Sequence, residues 1–197
     1  MNKKCERSVT MGLSVIFVLT ALCCYWGRTG SMHELTFLSN FFAGIFLFGT
    51  FICRHSGRKV PQILYLDCMM LLFLVLMVCT AFPGIFKFNG MFLFLHLLNP
   101  LFMILYYFLF CDMNCVRKST QILSVMILPL IYLVFAALYG KTTGDSIYFF
   151  LNIRTYGFGY CVTFVLILSI AVVMMGCAMF YLNRMICRIR SSHISFH

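Results

Sequence analysis

The chain has 197 residues, of which 62% are hydrophobic and only 10% charged. A soluble domain carries roughly 25% charged residues to cover its core, so this composition excludes an ordinary water-soluble domain and fits a protein solvated by lipid. The net charge of +10 has to be located before it is interpreted. Its lysines and arginines sit in short runs between apolar stretches, never alternating with aromatics on a soluble face, and so predict no nucleic-acid partner.

A membrane helix needs about 20 apolar residues to cross roughly 30 Å of hydrocarbon. Six stretches meet that demand, predicting an all-α polytopic membrane protein whose residues 1–197 form a single six-helix transmembrane domain. The first, about Ser8–Trp26, follows Lys3, Lys4 and Arg7 and has the outline of a signal peptide. The run is long and lacks a small-x-small cleavage site, so it reads as an uncleaved span. The second covers Leu35–Cys53, and the third, Ile63–Phe82, is interrupted early by Asp67. The fourth, Met91–Cys111, and the sixth, Gly159–Tyr181, contain no acidic or basic charge; the fifth covers Ile122–Tyr139.

Orientation follows from the fifteen lysines and arginines, because cytoplasmic links carry the excess. Lys3, Lys4, Arg7, Arg54, Arg58, Lys59, Arg117, Lys118, Arg184, Arg188 and Arg190 fall on one set of links. Arg28, Lys87, Lys141 and Arg154 fall on the other. The bias alternates across all six spans and predicts both termini on the cytoplasmic side. The link from Lys141 to Phe158 contains Ile147-Tyr-Phe-Phe-Leu151, too apolar to float free. It is expected to lie in the interface or fold back over the outer mouth of the bundle. There is no repeat, heptad or separate soluble domain.

Eleven cysteines raise the question of a disulfide framework. Most lie in apolar runs or beside basic links, without a C-x-x-C pair or a zinc spacing, and read as small polarizable core residues. No metal or cofactor is expected. Cys23, Cys24, Cys79 and Cys161 fall near the outer surface, which leaves one bridge open there.

Polar groups inside a membrane are costly and mark functional positions. His96 lies about six residues into the fourth span, roughly 9 Å deep at 1.5 Å per residue, with Asn99 and Pro100 at i+3 and i+4. It is either a structural histidine bonded between helices or a reactive one. Before the second span, Ser31-Met-His-Glu34 has the spacing of a capping box, which would start the helix near Met32 and give Glu34 a structural role. Thr36, Ser39, Asn40 and Ala43 recur at i, i+3, i+4 and i+7 as a small polar stripe. Back-bonding explains Ser39, and Asn40 can join helices. Both spans run from outside to inside, so Thr36 and His96 should share a depth, where a hydroxyl and an imidazole can act as nucleophile and general base. Asp67, near the inner end, could pair with Arg58 or Lys59, bond Tyr65, or remain protonated.

The segment Glu34-Leu-Thr-Phe-Leu-Ser-Asn40 resembles the Leu-Thr-Phe segment of the androgen-induced membrane hydrolases that cleave fatty acid esters of hydroxy fatty acids. It is also similar to the Thr-x-x-Ser-Asn segment of their bacterial relatives. His96-Leu-Leu-Asn-Pro100 resembles the His-x-x-x-Pro of those relatives, and Pro129-Leu-Ile-Tyr132, Tyr139-Gly140 and Tyr148-Phe-Phe-Leu-Asn152 follow in the same order. The resemblance covers roughly Glu34 to Tyr181 and implies a six-helix plan in a bacterial plasma membrane. It implies Thr36 as nucleophile, His96 as general base, and hydrolysis of a fatty acyl ester among membrane lipids at the outer leaflet. The family's loop motif usually contains Tyr-Pro and ends in an acid. Asn152 stands at that last position, where it can orient a substrate or a histidine but cannot balance an imidazolium. Asn40 and Asn99 are candidate oxyanion donors. The alternative expectation is a non-catalytic protein binding or transporting a small lipid or apolar ligand in the same cavity.

Overall fold

The computed structural model describes residues 3–82, 84 and 89–194, and every regular element among them is helical. Lys87 lies outside the described residues. The order is α1 (Lys3–Cys24), α2 (Leu35–His55), α3 (Ile63–Ala81), α4 (Asn99–Phe110), α5 (Ile127–Thr143), the short α6 (Ile153–Tyr156) and α7 (Phe158–Ile194). Five helices are long and apolar enough to cross a membrane, and a sixth apolar helix, Phe94–Phe110, is shorter. Large apolar side chains remain exposed along the outer faces, among them Leu19, Ile45, Leu105, Ile131 and Ile167, each more than half exposed. A surface of that kind belongs in lipid, and the chain is an integral membrane protein.

The second and third spans start where the hydropathy places them and end within two residues of it. The others depart for local reasons. Proline has no amide hydrogen, and its ring collides with the carbonyl four residues back. For Pro100 that carbonyl belongs to His96, and the chain answers with a π turn over Phe94–Leu98, in which the Asn99 amide reaches back to the Phe94 carbonyl. Helical backbone begins at Phe92, one residue after the expected Met91, and runs through the π turn into α4. For Pro129 the carbonyl is that of Val125, and a 3-10 stretch over Ser119–Met126 leads into α5. That helix continues past Tyr139 to Thr143 and stops where Gly144 adopts a left-handed φ of 83°. The last helix runs on to Ile194, well beyond Tyr181; at 1.5 Å per residue it is about 55 Å long.

The middle of the bundle is α3, whose Tyr65, Leu66, Met69, Met70 and Leu72 are fully buried. Asp67 takes neither Arg58, Lys59 nor Tyr65 as its partner. Its carboxylate accepts from Ser124 Oγ at 2.6 Å, because the 3-10 stretch before α5 packs against α3 there. At the far end of α4 the Tyr107 carbonyl accepts only from the Cys111 amide, and the Cys111 carbonyl has no partner within the helix. Asn183 of α7 donates to both, at 3.1 and 3.2 Å, while its own oxygen accepts from the Met113 amide at 3.0 Å. All eleven cysteines are unbridged, so no outer-side disulfide forms.

Helices α1 and α2 approach closely at Gly44. Ser14 Oγ donates to the Gly44 carbonyl at 2.7 Å. A β-carbon on Gly44 would stand 2.6 Å from Val18 Cγ2 and 3.1 Å from both the Ser14 carbonyl oxygen and the Val18 amide nitrogen. A side chain can rotate away, but two backbone atoms cannot move without separating the helices. Gly44→Ala is expected to destabilise the protein by about 1–3 kcal/mol, as overpacked sites do, read as a lower thermal midpoint in detergent. Gly49→Ala, with nothing within 4 Å of the added carbon, should leave the midpoint within error.

Candidate functional site

The site is built where α2 begins. The capping box does not form. Ser31 ends a 3-10 turn, Thr29–Ser31, and Glu34 becomes the N-cap residue with no side-chain cap bond. Its carboxylate is drawn away to accept from Tyr25 Oη at 2.7 Å. The helix consequently starts at Leu35, and Thr36 falls in its first turn. The amides of that turn have no intrahelical partner. Two phenols from elsewhere in the chain take the first: the Leu35 amide donates to Tyr132 Oη of α5 and to Tyr148 Oη of the following link, both at 3.1 Å. Burial pushes the Tyr148 phenol well above its ordinary pKa, so it stays protonated. The Leu38 amide reaches the Glu34 carbonyl, and the Thr36 and Phe37 amides have no partner among the described residues.

Thr36 is buried, 3% exposed. Its hydroxyl has no hydrogen-bond partner among the described residues and lies on the wall of an apolar cavity of about 80 Å3. The other walls come from α3 (Leu74, Val78, Cys79), α5 (Pro129, Tyr132, Leu133), α7 (Phe164, Leu168) and the aromatic link. That link folds back over the bundle, with Tyr148 and Phe150 stacked at 5.1 Å and Phe150 buried. Ligand sites usually enclose roughly 300–1,000 Å3, so this cavity has room for a small group and not for an acyl chain. It shares Leu133, Leu151 and Val165 with an adjoining cleft of about 680 Å3 between α5 and α7. Movement of those side chains would join the two.

Below Thr36 both asparagine side-chain nitrogens are engaged, while Asn99 Oδ1 is buried without a partner among the described residues. Asn40 Nδ2 donates to the Thr36 carbonyl at 2.8 Å and to the Leu95 carbonyl at 3.3 Å. Asn99 Nδ2 donates to Asn40 Oδ1 at 2.8 Å and to Thr20 Oγ1 at 2.9 Å. An amide nitrogen has two hydrogens, so neither asparagine retains one for an oxyanion; their geometry is that of helix joiners. Ser39 Oγ back-bonds to the Thr36 carbonyl at 3.2 Å. Asn152 is apart from these residues. It caps α6 by accepting from the Arg154 and Thr155 amides and lies on the α5–α7 cleft.

His96 is buried, 4% exposed, inside the π turn, with its ring 5.5 Å from that of Phe92. The Asn40–Asn99 bond joins the two helices, with Thr36 four residues before Asn40 and His96 three before Asn99. Thr36 and His96 do not hydrogen-bond each other directly, and His96 is not on the wall of the Thr36 cavity. Sequence reading missed the Tyr132–Tyr148 clamp and the part played by Thr20. The signal present was a tyrosine in a link too apolar for water, although nothing local says which backbone group it meets. Comparisons with family models, curated proteins and solved structures give no match.

The clamp makes an additivity prediction. A buried amide left without an acceptor costs about 1–3 kcal/mol. Either Tyr132→Phe or Tyr148→Phe leaves the Leu35 amide one hydroxyl, so each alone should lower stability slightly. The double variant should lose more than the sum, seen as a larger drop in thermal midpoint.

Proposed function

We propose that this protein is a membrane-embedded hydrolase of lipid esters, with Thr36 as nucleophile and His96 as general base. The carrying observation is a buried threonine hydroxyl, free of any hydrogen-bond partner among the described residues, opening onto an apolar cavity at a helix start. In this reading all six apolar helices cross the membrane, the cation-rich links and both termini face the cytoplasm, and Thr36 works in the outer half. The motif resemblance to the androgen-induced membrane hydrolases and their bacterial relatives supports the same roles.

In the reaction Thr36 Oγ1 attacks the ester carbonyl as His96 takes the hydroxyl proton. The tetrahedral oxyanion is held by the Thr36 and Phe37 amides, since Asn40 and Asn99 have no hydrogen to offer. Its collapse breaks the ester bond, and the alcohol leaves with the proton from His96. Water, deprotonated by His96, then attacks the acyl-threonine; the acid leaves and the proton returns to Thr36. His96 must reach Thr36 through one water or a small side-chain movement, as catalytic bonds often tighten only with substrate bound. The second reading is a non-catalytic protein that binds a lipid or another apolar ligand. It is favoured by the apolar cavity wall and the missing direct Thr36–His96 bond.

A fluorophosphonate probe applied to the detergent-solubilised protein separates the two. Label on Thr36 that disappears in Thr36→Val and in His96→Ala supports the hydrolase. Turnover of a fatty acyl ester should also fall about 10²- to 10⁴-fold in His96→Ala, the usual contribution of a general base. A folded protein that takes no label, yet is stabilised by a free fatty acid, supports the binding reading. Protease cleavage of terminal tags only in inside-out vesicles checks the orientation.

A further inference from the structure

The α2–α3 and α4–α5 links meet at the end of the bundle remote from Thr36, around a cleft of about 680 Å3. Arg58 and Lys59 line it from the first link, Arg117 and Lys118 from the second. All four are exposed, and none has an ion-pair partner or an acceptor among the described residues. Arg54, on the same wall, is already paired with Glu6 and donates to Tyr106 Oη. No acid lines the cleft. Asp112 stands at its edge, with its amide bonded to Gln62 and its carboxylate accepting from the Asn114 amide and Cys115.

A general excess of cations on one side of a membrane protein accounts for their sign. It does not account for two links from separate parts of the chain bringing unpaired cations to one concavity, where they repel each other without a counter-ion. Val60 and Ile63 lie on the same wall and give it an apolar edge. The four cations flank the ends of apolar helices, and basic pockets between such helices take anionic headgroups. We propose that this cleft binds a phosphate group, carried on an anionic phospholipid or free in solution. The site is independent of the hydrolase reading.

The test titrates the full chain in neutral detergent micelles with dioleoyl-phosphatidylglycerol, with dioleoyl-phosphatidylcholine, and with sodium phosphate, following the thermal midpoint. Phosphatidylglycerol should raise it and phosphatidylcholine should not; a rise with phosphate as well assigns the recognition to the phosphate alone. The variants R58Q/K59Q and R117Q/K118Q should each weaken phosphatidylglycerol binding roughly 30-fold, at about 1 kcal/mol per cation. The control R188Q/R190Q, at the same end but off the cleft, should change it less than about threefold. Equal loss in the control, equal response to phosphatidylcholine, or no response to phosphatidylglycerol or phosphate overturns the site. If a cleft variant does not fold, a photoactivatable phosphatidylglycerol on the unaltered chain decides the matter. Adducts on peptides spanning 58–63 or 115–118 support the site, and adducts confined elsewhere overturn it.

Discussion

Inside a bilayer a polar group has no water to fall back on, and the side chain of Asn40 organises the bundle around that constraint. Its amide joins the start of α2 to the π turn through the Thr36 and Leu95 carbonyls, and its oxygen receives Asn99, which in turn holds Thr20 of α1. Three helices are tied by one chain of bonds, in a medium where apolar contact alone gives little reason to associate. The same chain of bonds fixes α2 against the π turn that carries His96.

Around that junction the backbone is irregular, each time for a stated cause. Pro100 forces the π turn that carries His96, Pro129 forces the 3-10 approach to α5, and the loss of Glu34 to Tyr25 starts α2 at Leu35. Irregular backbone at membrane depth survives only where protein buries it. Here Tyr132 and Tyr148 supply the missing partner for the α2 start, so the aromatic link is part of the site's construction as well as its cover. The cavity walled by these elements is small because that link is folded into it. A lipid substrate requires the link or the α5–α7 wall to move.

The two ends of the bundle have opposite chemistry. One carries an apolar cavity lined by the Thr36 and Ser169 hydroxyls and by buried phenols. The other carries an open cleft edged by exposed cations without an ion-pair partner among the described residues. The physics of each is separate, and each is tested separately.

Composition alone determined the membrane class and the helical fold, because lipid admits few other ways to satisfy a backbone. Hydropathy likewise located α2 and α3 almost to the residue, since their ends coincide with charged or breaking residues. The stripe Thr36, Ser39, Asn40 and the pair His96, Asn99 were legible as i, i+3, i+4 spacings. Their partners were not: Asp67 meets Ser124, Asn99 meets Thr20, and Leu35 meets Tyr132 and Tyr148, contacts 57 to 113 residues apart in the chain. The capping box failed for the same reason, because a local motif lost its carboxylate to a tyrosine on a neighbouring turn. Local spacing specifies which face a group occupies. Only the packed helices decided which groups have a partner and which, like the Thr36 hydroxyl, have none among the described residues.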